Sequence, residues 1–245
     1  MKGKFAIVSI IVMLCSSFTF ADFITSFEES EGYVLGSVAG QNGWSITLGS
    51  ASRAGVTDWW KAHSDGNWGL YVNAYTGGGR ASHSINQNSV FNVSVTMAWY
   101  DAKALYAVMD ILGEDGIWNG IRCGFMLVGD AVKFMYRDGS VQKELPLEPG
   151  INDPARGIHY RFDVTVYPST SSYDLSVYKL DNTLVGSVSN VSARHGTNSF
   201  TTVNFTIEGD ADTKHTMYVD DLHVVPEPAT IGLLGFGIIG IFRRK

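Results

Sequence analysis

Residues 158–166 alternate without a break. Ile158, Tyr160, Phe162, Val164 and Val166 fall in one phase, and His159, Arg161, Asp163 and Thr165 fall in the other. A period of two puts the first set on one face of an extended strand and the second set on the opposite face, so only one face can be buried. Residues 173–180 repeat the pattern through Tyr173, Leu175 and Val177. Runs of β-branched and aromatic residues fill 44–48, 68–72, 90–100, 121–128, 132–137, 183–191, 200–207 and 217–224. Between them lie Gly129-Asp130, Asp138-Gly139, Asp181-Asn182 and Glu208-Gly209-Asp210, which supply the positive φ and Asx geometry that tight turns need. Pro146, Pro149, Pro154 and Pro168 also fall between runs, where a missing N–H costs no ladder bond. Many short strands closed by turns predict an all-β antiparallel sandwich or barrel. Residues 101–110 have helix-forming composition, but a strand over 105–112 is expected, because the segments on both sides are strands.

The two ends follow different rules. Lys2 and Lys4 precede an apolar run over 5–14, then a small polar stretch with Thr19 and Ala21 at the −3 and −1 positions of a cut before Asp22. That is the three-part pattern of a secretory signal peptide, and the run is shorter than the roughly 20 residues of a membrane span. At the other end, Pro226-Glu227-Pro228 precedes a Gly-rich apolar run over 231–242 and the cations Arg243, Arg244 and Lys245. The cations would hold the end of that run on the cytoplasmic side. Motif, short apolar helix and basic end resemble, in order and position, the PEP-CTERM sorting signal. The resemblance implies export by signal peptidase, transient anchoring in the inner membrane through the C-terminal helix, and cleavage by an exosortase of a Gram-negative bacterium. The mature protein would then reach the cell surface, the outer membrane or the extracellular matrix. The expected organisation is a signal peptide over 1–21, a β-sandwich domain over 22–225 and the sorting tail over 226–245.

Charge and cysteine content narrow the function. Five of the 18 cations but one of the 24 acidic residues lie in the two tags, so the central domain carries 13 against 23. Nucleic acid rewards clustered Lys and Arg, and an acidic domain without a basic cluster argues against that partner. Cys123, within the apolar stretch 121–125, is the one cysteine of the central domain and reads as a buried structural thiol.

Phe27-Glu28, Gly40-Gln41-Asn42-Gly43-Trp44, residues 133–139 and Tyr218-Val219-Asp220-Asp221-Leu222 resemble, in their order, concanavalin-A-like or laminin-G-like jelly-roll domains. The resemblance runs from Phe23 to Val224 and implies two antiparallel sheets packed face to face, flanked here by an N-terminal signal helix and a short C-terminal apolar helix. It fixes no activity, because that fold hosts lectins, glycosidases and adhesion modules.

No nucleophile elbow, zinc pair, CxxC site or P-loop occurs. Glu208-Gly209-Asp210-Ala211-Asp212 lacks a second Glu for a glycosidase pair and reads as a turn, so no catalytic residue is assigned. Sugars stack on aromatic rings. Of the adjacent pair Trp59-Trp60, one ring must point outward from a strand. Trp60, Trp118 in a polar loop, Tyr75 and Arg80 beside Gly77-Gly78-Gly79 are the candidate ligand contacts. Asp220 shares a phase with Tyr218, Leu222 and Val224, and a carboxylate on a core face needs a partner or a cation. By the jelly-roll resemblance, Glu28 near one end of the domain and Asp220 and Asp221 near the other are candidate ligands for a structural Ca²⁺. The expected function is a non-catalytic polysaccharide-binding module at the cell surface. A purely structural or adhesive matrix protein is the alternative, with a glycoside hydrolase third.

Overall fold

The computed structural model describes residues 22–50, 53–59, 66–74, 78–100, 104–114, 120–209 and 215–227. The signal segment and the C-terminal apolar run, both expected as helices, lie outside these residues. Among the described residues the chain forms sixteen strands: β1 (Phe23–Thr25), β2 (Gly36–Ser37), β3 (Ser45–Leu48), β4 (Ala54–Thr57), β5 (Gly69–Ala74), β6 (Gly79–Gln87), β7 (Phe91–Trp99), β8 (Ala104–Gly113), β9 (Gly120–Val128), β10 (Ala131–Asp138), β11 (Val141–Glu144), β12 (Tyr160–Tyr167), β13 (Ser172–Lys179), β14 (Leu184–Ser192), β15 (Phe200–Gly209) and β16 (His215–Pro226). Among the same residues no helix is long and apolar enough to cross a membrane.

The strands make two antiparallel sheets. A nine-stranded sheet runs β14-β13-β12-β7-β16-β5-β4-β2, with β1 added beside β16, and a seven-stranded sheet runs β11-β10-β9-β8-β15-β6-β3. Their inner faces meet in one apolar core. Phe125 of the smaller sheet stands edge-on to Phe162 of the larger at 5.4 Å, and Phe91 meets Phe200 at 5.8 Å. Phe91, Phe162, Phe200 and Phe205 are 0 % exposed. Burying each such ring contributes about 1.5–3 kcal/mol, so the inward phase of every long strand is apolar. Cys123 sits in this core, fully buried, and burial followed by the nearby Asp110 charge pushes its thiol pKa up. The antiparallel sandwich and the strand over 105–112 are as expected.

Four local expectations are corrected. The alternating strand starts at Tyr160, and Ile158 is exposed. Glu208 and Gly209 end β15 and are not a turn. Residues 79–87, absent from the expected strands and with Ile85 as their single β-branched residue, form the nine-residue β6 between β15 and β3. Asp220 and Leu222 do not share a face. Opposite β7, the register jumps between Asp220 and His223, and Asp221 takes φ 48°. That bulge inserts one extra residue and flips the alternation. Met217 and Val219 point inward before it, and Leu222 and Val224 point inward after it, which leaves Tyr218 and Asp220 on the outer side.

Candidate functional site

The bulge marks a seam. Along one edge β16 pairs first with β5, through residues 215–219, and then with β1, through residues 222–224. Residues 23–25 and 222–224 are therefore neighbours. Glu28 does not belong to the first strand but precedes a 3-10 turn, Glu29–Glu31. Its Oε1 accepts the backbone N–H groups of Asn67 (2.7 Å) and Trp68 (3.0 Å), pinning the approach to β5. Asp220 is fully buried and its Oδ1 accepts the Asp221 N–H at 2.9 Å. Among the described residues, no group of three or more His, Cys, Asp or Glu side chains could hold a metal ion. Glu28, Asp220 and Asp221 are thus not gathered into one such group.

Of the candidate ligand contacts, Trp60, Trp118 and Tyr75 lie outside the described residues. Trp59, which precedes Trp60 in the sequence, is described. It is 40 % exposed and stands edge-on to Tyr100 (5.4 Å) and Tyr218 (5.5 Å) on the outer side of the nine-stranded sheet. Arg156 lies over the Tyr100 ring at 4.5 Å.

Arg80 is not a loop residue. It is the second residue of β6 and points away from the core, and with it comes a polar surface that the sequence reading missed. The outward phase of the seven-stranded sheet carries Ser45 and Thr47 (β3), Arg80 and Ser82 (β6), Asn204, Thr206 and Glu208 (β15), Tyr106 and Asp110 (β8), Arg122 (β9) and Arg137 (β10). Pairing aligns Ser45, Ser82, Asn204, Asp110 and Arg122 in one row across five strands. At one end of this face is a depression of about 320 Å³, lined by hydroxyl and amide groups that include Thr47, Ser82, Ser84, Thr202 and Asn204, with Glu114 at its rim. Asn204 is 2 % exposed, and among the described residues its Oδ1 has no hydrogen-bond partner.

Beyond Asn204 the row becomes charged. Arg122 donates to Asp110 through Nε (2.5 Å) and Nη2 (3.1 Å), with both side chains at most 5 % exposed. Thr206 donates to Asp110 Oδ2 at 3.2 Å and accepts from Arg80 Nε at 3.0 Å. The Arg122 guanidinium sits over the Tyr106 ring at 5.0 Å. Burial, then the hydrogen bond and charge of Glu208, push the Tyr106 hydroxyl up to about 12. Asp110 interrupts an apolar run, Val108-Met109-Asp110-Ile111-Leu112, and Arg122 follows Ile121 in another. Two opposite charges in apolar strands were the available signal, but sequence shows neither that they are partners nor which face they share.

The end of β16 decides what the C-terminus is. Val225 pairs with Asn92 and Pro226 with Phe91, and the Glu227 N–H donates to Val90 O at 3.0 Å, so the sheet runs directly into the Pro-Glu-Pro segment. Residues 224–245 are a PEP-CTERM protein-sorting motif. The PEP-CTERM motif marks an exported, envelope-associated protein of Gram-negative type and implies exosortase processing. No curated protein matches the chain by sequence. Similar solved structures share the lectin-like sandwich. The catalytic domain of a glycoside hydrolase family 131 protein from Coprinopsis cinerea superposes with TM-score 0.57 at 14 % identity, over 83 % of this chain and 95 % of that one. The lectin UEA-II, solved with galactose, gives 0.54 at 11 % identity, over 84 % and 98 %. A sialidase gives 0.53 at 15 % identity over 78 % of this chain, which spans only 18 % of that protein. At these identities the likeness concerns the fold.

Proposed function

We propose that this PEP-CTERM protein is an exosortase-processed protein of the cell surface or extracellular matrix whose sandwich binds polysaccharide through the outer face of the seven-stranded sheet. Asn204 carries the proposal. A desolvated amide oxygen without a partner costs about 1–3 kcal/mol, and a sugar hydroxyl donating into it relieves that cost. The surrounding Ser and Thr hydroxyls can both donate and accept, as a polyol ligand requires. The galactose in the UEA-II structure is in keeping with a sugar ligand on this fold. Binding without cleavage is favoured by the state of Asp110. Asp110 pairs across the sheet with Asn204, and Glu208 lies four residues further along β15. The Asp110 carboxylate is held by Arg122 and Thr206, which leaves it poorly suited to work with Glu208 as the acid/base pair that glycoside hydrolysis needs. A structural calcium ion at the β1–β16 seam, held by two of Glu28, Asp220 and Asp221, belongs to the same proposal.

Affinity electrophoresis through gels of soluble polysaccharides tests the proposal. Retention is expected on at least one glycan, weakened at least tenfold in Asn204→Leu with the melting curve kept. No retention on any glycan would leave the structural or adhesive alternative. Reducing-sugar release that Glu208→Gln abolishes would make the protein a hydrolase instead.

A further inference from the structure

Arg137 lies beyond Arg122 on the same outer face. Cys123 pairs with Tyr136, and both of these point into the core, so the next residues, Arg122 and Arg137, are outward neighbours on adjacent strands. Arg122 is neutralised by Asp110. Among the described residues, Arg137 Nε is buried without a hydrogen-bond partner. The 3-10 turn Arg194–Gly196 packs against β9 and brings a further arginine close. Burial, and then the like charge of Arg122, hold the Arg137 pKa below the ordinary arginine value; Asp110 opposes this and Arg194 adds to it. A half-buried guanidinium whose Nε lacks a partner is better accommodated when an anion completes the site. The planar donor fork of arginine matches a carboxylate or sulfate.

We propose that Arg137, with Arg122 behind it, binds the acidic group of an anionic polysaccharide whose neutral portion lies over the Asn204 depression. The inference rests on the polysaccharide reading above and names the class of sugar. Asn204 and Arg137 are three strand spacings apart, roughly 14 Å. An oligosaccharide of a few residues covers that distance and a single sugar does not. The charge-bearing group is a uronate carboxylate or a sulfate ester, and the two are separated by the choice of polymer.

The test compares gels containing alginate or polygalacturonate, a sulfated galactan, and neutral glucan and galactan. Retention is expected on an acidic polymer in preference to the neutral ones, with alginate against sulfated galactan telling carboxylate from sulfate. Because the protein is itself acidic, general charge attraction does not produce this result. Arg137→Gln should weaken acidic-polymer binding at least tenfold, and Arg137→Lys, which keeps the charge without the fork, should recover only part of it. The melting temperature of Arg137→Gln should stay level or rise, since the variant removes like-charge repulsion and an unpaired donor. A fall in melting temperature would make Arg137 structural and overturn the assignment. Equal retention on neutral and acidic polymers, or binding untouched by Arg137→Gln, would overturn the acidic-sugar inference and leave polysaccharide binding standing. No retention on any polymer would instead remove the polysaccharide reading itself.

Discussion

Asp110 and Arg122 show how one residue can serve neighbours on several strands. The carboxylate takes two bonds from Arg122 and one from Thr206, and Thr206 in turn holds Arg80. Removing one member of a buried pair strands the other charge, at a cost of about 3–5 kcal/mol. Asp110→Asn or Arg122→Met alone should therefore lower the melting temperature by roughly 10 °C, at about 2–4 °C per kcal/mol for a domain of this size. Asp110→Leu combined with Arg122→Met should lose less than the sum of the single changes, as a double-mutant cycle by calorimetry would read. Gly124 is a second such point. It has φ 148°, and a Cβ there would collide with the Ala107 carbonyl oxygen of the neighbouring strand, so glycine is what lets β8 and β9 approach beside Arg122.

At the scale of the element, β1 and β6 are tied by an aromatic contact. The rings of Phe23 and His83 stack at 3.8 Å, Trp44 lies 5.2 Å from His83, and His83 Nε2 donates to Asn42 O at 3.1 Å as the neutral tautomer. Burial lowers the His83 pKa, against smaller opposing contributions from its backbone hydrogen bonds. The folded state therefore binds this proton less readily than the unfolded chain does. Stability from His83 is complete above the ordinary histidine pKa of about 6.5 and declines as pH falls below it. Melting temperatures between pH 8 and pH 5.5 should fall, and fall less in His83→Gln. The seam beside β1 has its own test. Glu28→Gln weakens two charge-assisted bonds to backbone amides and should cost about 1–3 kcal/mol. If a calcium ion shares the site, EDTA should lower the melting temperature by several degrees, and Asp220→Ala should abolish that dependence. A curve indifferent to EDTA and to added Ca²⁺ would leave Glu28 and Asp220 as hydrogen-bond acceptors only.

For the whole molecule, the sorting motif grows out of the sheet with no linker. Because Pro226 still pairs with Phe91 of β7 and the Glu227 N–H donates to Val90 just before it, a cut ahead of Pro226 would remove the end of the last strand. Intact-mass measurement on protein from the native cell surface should give a chain that starts near Asp22 and ends at or after Glu227. A dominant species that keeps Arg243 to Lys245 would count against processing. The sorting motif was legible because it is read as a linear string and needs no fold. The sandwich was legible because Tyr160, Phe162, Val164 and Val166 must bury one face whatever lies opposite. The candidate site was not legible. Arg80 was a candidate from sequence, but Asn204, Asp110, Arg122 and Arg137 come from four strands, and nothing in the sequence says that they meet. Strand order places β15 between β6 and β8, and register sets Asn204 opposite Asp110. A single bulged residue, Asp221, moves Asp220 from the core face to the outer one. Periodicity fixes which residues share a side of a strand; pairing between distant strands, set by how the two apolar faces close on each other, fixes which polar side chains meet.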